Sequence, residues 1–446
     1  MSDVLLRELA AARFDCALVT AGHPAFEAGR LVWNGLIDRR PAAIVRPRSA
    51  EDIRKAVGAA ASAQAPLAVR CGGHSFPGFS TCNDGLVIDL SQMNAVSVDP
   101  RSGTADVEGG ALLGDLDRAT VAHGLVVPAG VISHTGVGGL TLGGGMGWLS
   151  RRYGLTIDSL LGAEIITADG SIVWASETSE RDLFWGIRGG GGNFGIVSRF
   201  RFRLHPLGST VVGKWDYPLS AARPALERLR AFAVDLPRDL TFSLTLTRTG
   251  LTVTAVWFGA EGAAERVLSP FASLSGGGEG QIEAASFLDL QSRNDKHFSW
   301  SRRYYAKGGF WTVITDEAIE RAIEAVAKAP TPDCEIYAIR LGGAVCDVDD
   351  AATAYSGRKA DYYWIAEPVW DDPADDVRCL AWGREAARYL ASKAIDGNYV
   401  NEQGDDDPSV AHLAYGAGKY ERLARLKARF DPANLLRLNQ NIVPAT

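Results

Sequence analysis

Hydrophobic and polar residues alternate with a period of two in some stretches of the chain and recur at helical spacing in others. Residues 240–260 alternate on both sides of Thr249-Gly250, which predicts an antiparallel β-hairpin. A second hairpin is predicted around Asp169-Gly170, where two apolar stretches flank an Asp-Gly turn. Ser49 precedes an alanine-rich stretch that ends before Pro66, so we expect a helix there with Ser49 as its N-cap.

The two halves of the chain differ in the order of their predicted elements. Up to Pro206, short strands are mixed with helices and glycine-rich loops, and the tail from Ser409 is again helical. Beyond Pro206, strands and helices are interleaved around the hairpin, which indicates an antiparallel sheet backed by helices. The additional strands are predicted over 214–218, 334–345 and 361–370, and the helices over 220–234, 316–328 and 373–394.

Length and charge narrow the possible classes of protein. A chain of 446 residues is too long for one ordinary domain and short for three, so we expect two cores. The net charge is -7 and the isoelectric point is about 5.6, which argues against a nucleic-acid or anionic-membrane binder. We therefore expect a small-molecule partner.

Cysteine spacing and apolar segments bear on metal binding and on the compartment. The six cysteines lack the spacing of a zinc site or a disulfide framework, so we expect reduced thiols and no metal. The first 15 residues predict a short amphipathic helix and not a signal peptide. Residues 125–150 contain no Asp, Glu, Lys or Arg, but eight glycines and Pro128 argue against a membrane helix. These features predict a cytoplasmic protein.

Glycine is unusually frequent, with 49 residues, and it concentrates in three loops of the first half. Residues 190–195 match the GxGxxG pattern, and Asp216 follows at a suitable distance for a Rossmann fingerprint. The predicted order is helix, loop and strand, however, whereas the fingerprint requires strand, loop and helix. Loops over 70–78, 136–147 and 189–195 instead suggest one extended cofactor, such as a dinucleotide, enclosed along its length.

Four motifs occur in an order and spacing that resemble a known family. They are RCGGHS at 70–75, GVGGLTLGGGMGWLSRRYGL at 136–155, DLFWGIRGGGGNFGIV at 182–197 and the tail that begins YGAGKYERLARLKARF at 415. Together they resemble the berberine-bridge-enzyme-like oxidases of the vanillyl-alcohol-oxidase (PCMH-type) superfamily of FAD enzymes.

The resemblance implies a two-domain α+β flavoprotein. The FAD-binding domain would comprise residues 1–206 and a return segment, 397–446, and residues 207–396 would form the substrate domain with its antiparallel sheet. In this family the histidine of the RxGGH loop is joined to the flavin, so His74 is the expected covalent anchor. Ile132 stands where many relatives carry a second, cysteinyl link, so a single link is predicted.

His134 lies two residues beyond Ile132. It either lines the flavin edge or is satisfied by the backbone, and the second interpretation is favoured. The positions expected to contact FAD lie in or close to the three glycine-rich loops and in the return segment. They are Arg70, Cys71, Gly72, Gly73, His74, Ser75, Gly130, Thr135, Gly136, Gly138, Gly139, Leu140, Gly143, Gly144, Gly145, Gly147, Trp148, Tyr153, Gly154, Gly195, Ile196, Val197, Tyr399, Asn401 and Asn439.

Three residues are candidates for catalysis. Residues 397–406 resemble a strand that returns to the flavin, and Glu402 takes a position where relatives often carry a tyrosine base. Glu402 is either a base whose pKa is raised by partial burial or a solvated carboxylate beside an acidic loop. Glu367 is the second candidate, and strand alternation places Tyr363 and Glu367 on the same face.

The family resemblance implies an FAD-linked oxidase that takes hydride from an alcohol, either a sugar or a secondary-metabolite hydroxyl, onto flavin N5. Dioxygen would then be the second substrate and hydrogen peroxide a product. Three alternatives remain. The protein is otherwise an amine oxidase, a dehydrogenase with another electron acceptor, or a non-catalytic flavin-binding carrier.

Overall fold

The first sheet of the protein is mostly parallel. The structure is a computed structural model that describes residues 2–405, 407 and 409–446. Helix Ala50–Ala63 packs on this sheet through Ile53 and Val57, and helix Ser2–Ala11 adds Leu5 to the same core. The four strands, in spatial order, are Ala17–Val19, Ala43–Arg46, Leu86–Asp89 and Leu67–Arg70, of which only the first is antiparallel to its neighbour.

The second sheet is antiparallel and is covered by helices from both ends of the chain. Its helices are Leu113–Val121, Arg181–Ile187 and Ser409–Phe430, so the carboxyl-terminal helix packs against the amino-terminal half. The last helix contains a kink at Gly416. The five strands, in spatial order, are Val96–Asp99, Thr104–Glu108, Ile196–Arg203, Leu160–Ile166 and Ile172–Ser176.

The third sheet is antiparallel throughout and is built from the middle of the chain. Helices Leu219–Phe232, Asp316–Ala327 and Asp376–Leu390 share its main apolar core. The seven strands, in spatial order, are Glu279–Ala284, Val211–Pro218, Gly250–Trp257, Leu240–Leu246, Glu335–Arg340, Tyr362–Glu367 and Lys307–Trp311.

The α+β class and the antiparallel sheet backed by helices are confirmed. Both predicted hairpins form, with strands paired across Asp169-Gly170 and across Thr249-Gly250. The Ser49 side chain accepts a hydrogen bond from the Asp52 amide, and the helix ends at Gln64 in the left-handed region. The boundaries 1–206, 207–396 and 397–446 stay a prediction.

Several short elements were not predicted from the pattern, because two to seven residues give too little periodicity to detect. Among the described residues, no helix is both long and apolar enough to cross a membrane. The six cysteines are unpaired. The unpredicted helices are Phe26–Arg30, Val137–Gly143, Ser150–Tyr153, Ala264–Leu268 and Phe287–Ser292, and the unpredicted strands include Ala17–Val19, Ala43–Arg46, Leu125–Val126, Glu279–Ala284, Arg303–Tyr304 and Lys307–Trp311.

Buried arginines join the third sheet to the glycine-rich half. Both terminal nitrogens of Arg358 donate to the Asp158 carboxylate at 2.7 Å, and the two side chains are 2% and 8% exposed. Arg151 donates from the other direction, to the carbonyls of Leu240 and Leu341. These contacts fix how the sheet sits over the glycine-rich loops.

We expect Arg358→Met to lower the free energy of unfolding by about 3 kcal/mol, because the Asp158 carboxylate would stay buried without its partner. Arg378→Met is the matched control, since Arg378 is 64% exposed in its pair with Asp375. Denaturant titration of both variants measures the difference. Equal losses would show that the buried pair does not hold the two halves together.

Candidate active site

One large cavity lies between the glycine-rich loops and the third sheet. Its volume is about 630 Å³. The glycine end is formed by the three glycine-rich loops and by residues 436–440 of the tail. The opposite end is formed by one face of the third sheet, and residues 399–402 lie along the cavity wall. The fold thus brings residues that are more than 300 positions apart in the sequence to one cavity.

The glycine end depends on close backbone contacts. A Cβ atom on Gly72 would lie 2.3 Å from the Gly136 amide nitrogen, and one on Gly136 would lie 2.4 Å from Sγ of Cys71. A Cβ on Gly109 would lie 2.1 Å from the Val197 carbonyl oxygen. Since no larger residue fits these approaches without movement of the backbone, glycine is required to bring the loops together.

His74 lies in the wall of the cavity, and its ring contacts the rings of Trp33 and His134. Trp33 stacks on it with ring centroids 4.6 Å apart, and Tyr304 stacks on the other side of Trp33 at 3.8 Å. Nε2 of His74 lies 2.7 Å from Nδ1 of His134. Burial, with the nearby His134 ring, lowers the pKa of His74 well below its usual value, so its imidazole is neutral at pH 7.

The favoured interpretation of His134, satisfaction by the backbone, is consistent with its surroundings. Its ring does contact the Asp295 backbone, but its Nδ1 faces His74. The contact between the two histidines could not be predicted from local pattern, because they are 60 residues apart.

The expected return strand is also corrected. Residues Val400–Glu402 form a 3-10 turn, closed by the Glu402 amide donating to the Tyr399 carbonyl at 3.1 Å. Asn401 donates to the Leu140 carbonyl and to the Tyr399 hydroxyl, at 3.0 and 2.9 Å. Strand pairing is limited to an isolated bridge between Lys307 and Gln403. The turn therefore connects the glycine-rich helix Val137–Gly143, which contains Leu140, to the edge strand of the third sheet, which contains Lys307.

Glu402 lines the cavity from this turn. Burial raises the pKa of Glu402 to about 7, and the nearby Tyr363 hydroxyl opposes that effect. The solvated interpretation of Glu402 is therefore not supported by its surroundings. A carboxyl group with this pKa is able to accept a proton near neutral pH.

Two further carboxyl groups line the sheet end. Glu335 and Glu367 lie opposite each other on neighbouring strands, and both are buried. Burial, with the nearby carboxylates of Glu335 and Glu402, raises the pKa of Glu367 well above its usual value, which favours the protonated form. Nε2 of His297 lies 3.5 Å from Oε2 of Glu335, and this contact raises the pKa of His297.

The sheet end presents a row of polar side chains, which we call the platform. Five neighbouring strands contribute to it, so it extends over four strand spacings, roughly 19 Å in total. Of these residues only Glu367 was predicted for the site, although alternation within each strand of the hairpin already placed its four platform residues on one face. Ile365 is the apolar member of the platform. The platform consists of Lys214, Ser243, Thr245, Thr252, Thr254, Glu335, Tyr337, Ile365 and Glu367.

Most of the residues predicted from sequence to form the site line the cavity. Eight do not. Among these, Arg70 binds the Asp89 carboxylate at 2.6 Å, Tyr153 donates to the Pro206 carbonyl at 2.6 Å, and Tyr363 is buried behind Glu402 against Tyr399. The eight are Arg70, Gly143, Gly144, Gly145, Gly147, Tyr153, Gly154 and Tyr363.

The residues that do line the cavity come from all four predicted regions. From the first glycine-rich loop to the tail, they are Cys71, Gly72, Gly73, His74, Ser75, Gly130, Thr135, Gly136, Gly138, Gly139, Leu140, Trp148, Gly195, Ile196, Val197, Glu367, Tyr399, Asn401, Glu402 and Asn439.

Two family models match the chain at positions that frame this cavity. Residues 41–176 match an FAD binding domain, and residues 398–443 match the model described as berberine and berberine like. The first covers two of the three glycine-rich loops, and the second covers the turn that carries Glu402.

Individual relatives extend the match to almost the whole chain. An FAD-linked oxidoreductase of Dictyostelium discoideum is 33% identical over 416 residues, which cover 92% of this chain and 91% of that protein. A BBE-like protein of Physcomitrella patens has the same fold, with a TM-score of 0.91 at 22% identity and 99% of both chains covered.

A third similar structure is glucooligosaccharide oxidase from Acremonium strictum, described with a 6-S-cysteinyl, 8α-N1-histidyl FAD. It superposes with a TM-score of 0.87 at 26% identity, over 99% of this chain and 98% of that one. With both family models in place and a relative above 30% identity along nearly its full length, this chain belongs to the berberine-bridge-enzyme-like family of FAD-linked oxidoreductases.

Proposed function

We propose that this protein is an FAD-dependent oxidase that dehydrogenates an alcohol, with Glu402 as the base and dioxygen as the electron acceptor. The observation that carries the proposal is the Glu402 carboxyl group, which lines the cavity with a pKa raised to about 7 by burial. When bound, FAD supplies the hydride acceptor at N5 and passes the electrons to dioxygen, which yields hydrogen peroxide.

The glycine end of the cavity fits a dinucleotide. A Cβ on Gly139 or on Gly192 would meet no atom within 4 Å, so both residues face open space. Nε1 of Trp148 and Oδ1 of Asn439 are buried in the cavity wall without a hydrogen-bond partner among the described residues. A donor and an acceptor left free in this way are suited to a polar ligand.

We assign the single covalent link to His74. Its neutral imidazole lies in the cavity wall on a glycine loop, as a nucleophile toward the flavin requires. The histidyl attachment described for glucooligosaccharide oxidase supports this assignment by similarity. Ile132 lines the same cavity and has no thiol, so a second, cysteinyl link is not expected.

Glu402 accepts the hydroxyl proton of the substrate while hydride leaves the carbon atom that bears this hydroxyl group. Glu367, whose pKa is raised by burial, acts in its protonated form as a donor on the same side of the cavity, where it orients a substrate oxygen. Tyr399 and Asn401 hold the turn in place through their mutual hydrogen bond. The base is therefore fixed against both the glycine-rich helix and the third sheet.

The platform favours a sugar over an apolar alcohol. Its serine, threonine, tyrosine and glutamate side chains offer both donors and acceptors along roughly 19 Å. A polyhydroxylated substrate would satisfy these groups, whereas an apolar ring would leave them unpaired at a cost. The similarity to glucooligosaccharide oxidase agrees with this substrate class.

We expect Gly139→Leu to fold normally but to purify with much less FAD, because the side chain would fill the space assigned to the cofactor. Flavin absorbance per chain and thermal unfolding measure the two effects. Gly58→Leu is the matched control, since Gly58 also lies in a helix with no atom near its Cβ but outside the cavity. Full flavin content in Gly139→Leu would exclude the assigned position.

We expect the purified yellow protein to consume dioxygen with at least one member of a panel of oligosaccharides, secondary alcohols and cyclic amines. An oxidase forms one hydrogen peroxide per substrate molecule oxidised, and its reduced flavin reoxidises rapidly in air. Peroxide yield and stopped-flow absorbance measure both. Turnover only with an artificial acceptor would indicate a dehydrogenase, and turnover only with amines would contradict the proposed alcohol substrate.

We expect Glu402→Gln to lower kcat by about 100-fold or more while FAD stays bound, because the amide cannot accept the proton. In the unmodified protein kcat/KM should rise with pH through about 7, since only the deprotonated carboxylate acts as base. Asp407→Asn is the control, because Asp407 belongs to the nearby acidic loop but does not line the cavity. A pH profile unchanged by Glu402→Gln would remove Glu402 from the base role.

A further inference from the structure

His74 in the cavity wall is paired with His134 behind it, and the base and the substrate site do not explain this pair. Nε2 of His74 and Nδ1 of His134 are 2.7 Å apart. Two ring nitrogens at this distance share one proton, because two lone pairs or two N–H groups would repel each other. One of the two imidazoles is therefore the donor and the other the acceptor.

We propose that His134 is a positioning residue for cofactor attachment: it accepts the Nε2 proton of His74 and so leaves Nδ1 of His74 as the nucleophilic nitrogen. This inference rests on the proposed link at His74. It is argued from the geometry of the pair, since the contact with His134 occupies Nε2 and leaves Nδ1 as the ring nitrogen able to form a bond.

The surroundings of the pair support this arrangement. Burial lowers the pKa of His134, which keeps it neutral and able to accept a proton. The adjacent Ser133 donates from its amide and its hydroxyl to the two Asp295 carboxylate oxygens, at 2.9 and 2.5 Å. Stacking on Trp33 fixes the plane of the His74 ring, with an angle of 15° between the rings. Both imidazoles are thus held from several sides.

The attachment step balances with dioxygen as co-reactant. His74 forms one C–N bond to the flavin methyl carbon, while a C–H bond of that methyl group and the N–H bond of His74 break. His134 takes up the proton from Nε2 of His74. Two electrons pass to the isoalloxazine and from there to dioxygen, which is reduced to hydrogen peroxide with the two protons. His134 keeps this proton on Nδ1 and releases the one on its other ring nitrogen, which contacts the Asp295 backbone, so both imidazoles are neutral before and after the step and one proton stays between them.

The test compares His134→Ala with His134→Asn. Alanine removes the acceptor, so we expect covalent attachment to slow by about tenfold or more while FAD binds without a covalent bond. Asparagine places an amide oxygen near the position of Nδ1, so we expect it to restore most of the rate. Each variant is incubated aerobically with FAD, and the fraction of flavin that stays with the acid-precipitated chain is followed over time and checked by intact mass.

The controls separate this inference from the proposed link. His205→Ala removes another partly buried histidine, which contacts Ser159 at 2.9 Å outside the cavity, and should attach FAD at the normal rate. Thermal unfolding shows whether each variant is folded. Attachment at the normal rate in His134→Ala, or equal losses with alanine and asparagine, would overturn the role of His134 alone. Wild-type protein that releases all its flavin in acid would overturn the His74 link as well.

Discussion

Two loops of the cavity meet at a distance that only glycine permits, and the remaining geometry depends on this contact. A side chain on Gly72 or Gly136 would enter the backbone of the other loop, at 2.3 Å in each case. His74 lies two residues after Gly72 and His134 two residues before Gly136, so the approach of the loops determines the 2.7 Å contact between the imidazoles. A larger residue at either glycine would separate the histidines as well as the loops.

The third sheet completes the site because it is held over the glycine loops by buried charges. Arg358 and Arg151 reach across the boundary, one to a carboxylate and the other to backbone carbonyls. The turn at Val400–Glu402 spans the same boundary, with Asn401 bonded to the glycine-rich helix and Gln403 bridged to Lys307. Glu402 therefore depends on both halves of the chain for its position. It lies at the boundary where the proposed cofactor site and the proposed substrate site meet.

Local signals in the sequence were sufficient for some parts of the protein. The hairpin at 240–257 and the helix begun by Ser49 are specified by alternation and by a cap, which act over a few residues. The resemblance correctly indicated the family, and His74 lines the cavity as expected. Glu335 and His297 were missed, because only strand pairing and a distant loop bring them together. The turn at Glu402 was mistaken for a strand, since tertiary pairing with Lys307 sets its shape.

Burial has opposite effects on the two kinds of titratable group in the cavity, and both favour the neutral form. It lowers the pKa of His74 and of His134, and it raises the pKa of Glu402 and of Glu367. A neutral imidazole is the nucleophile that attachment requires, and a carboxyl group that titrates near 7 is the base that dehydrogenation requires. Removal of these side chains from water in the cavity wall is thus one physical cause for both proposed roles. His74 and Glu402 line the same cavity, so the chemistry of both depends on the packing that removes them from water.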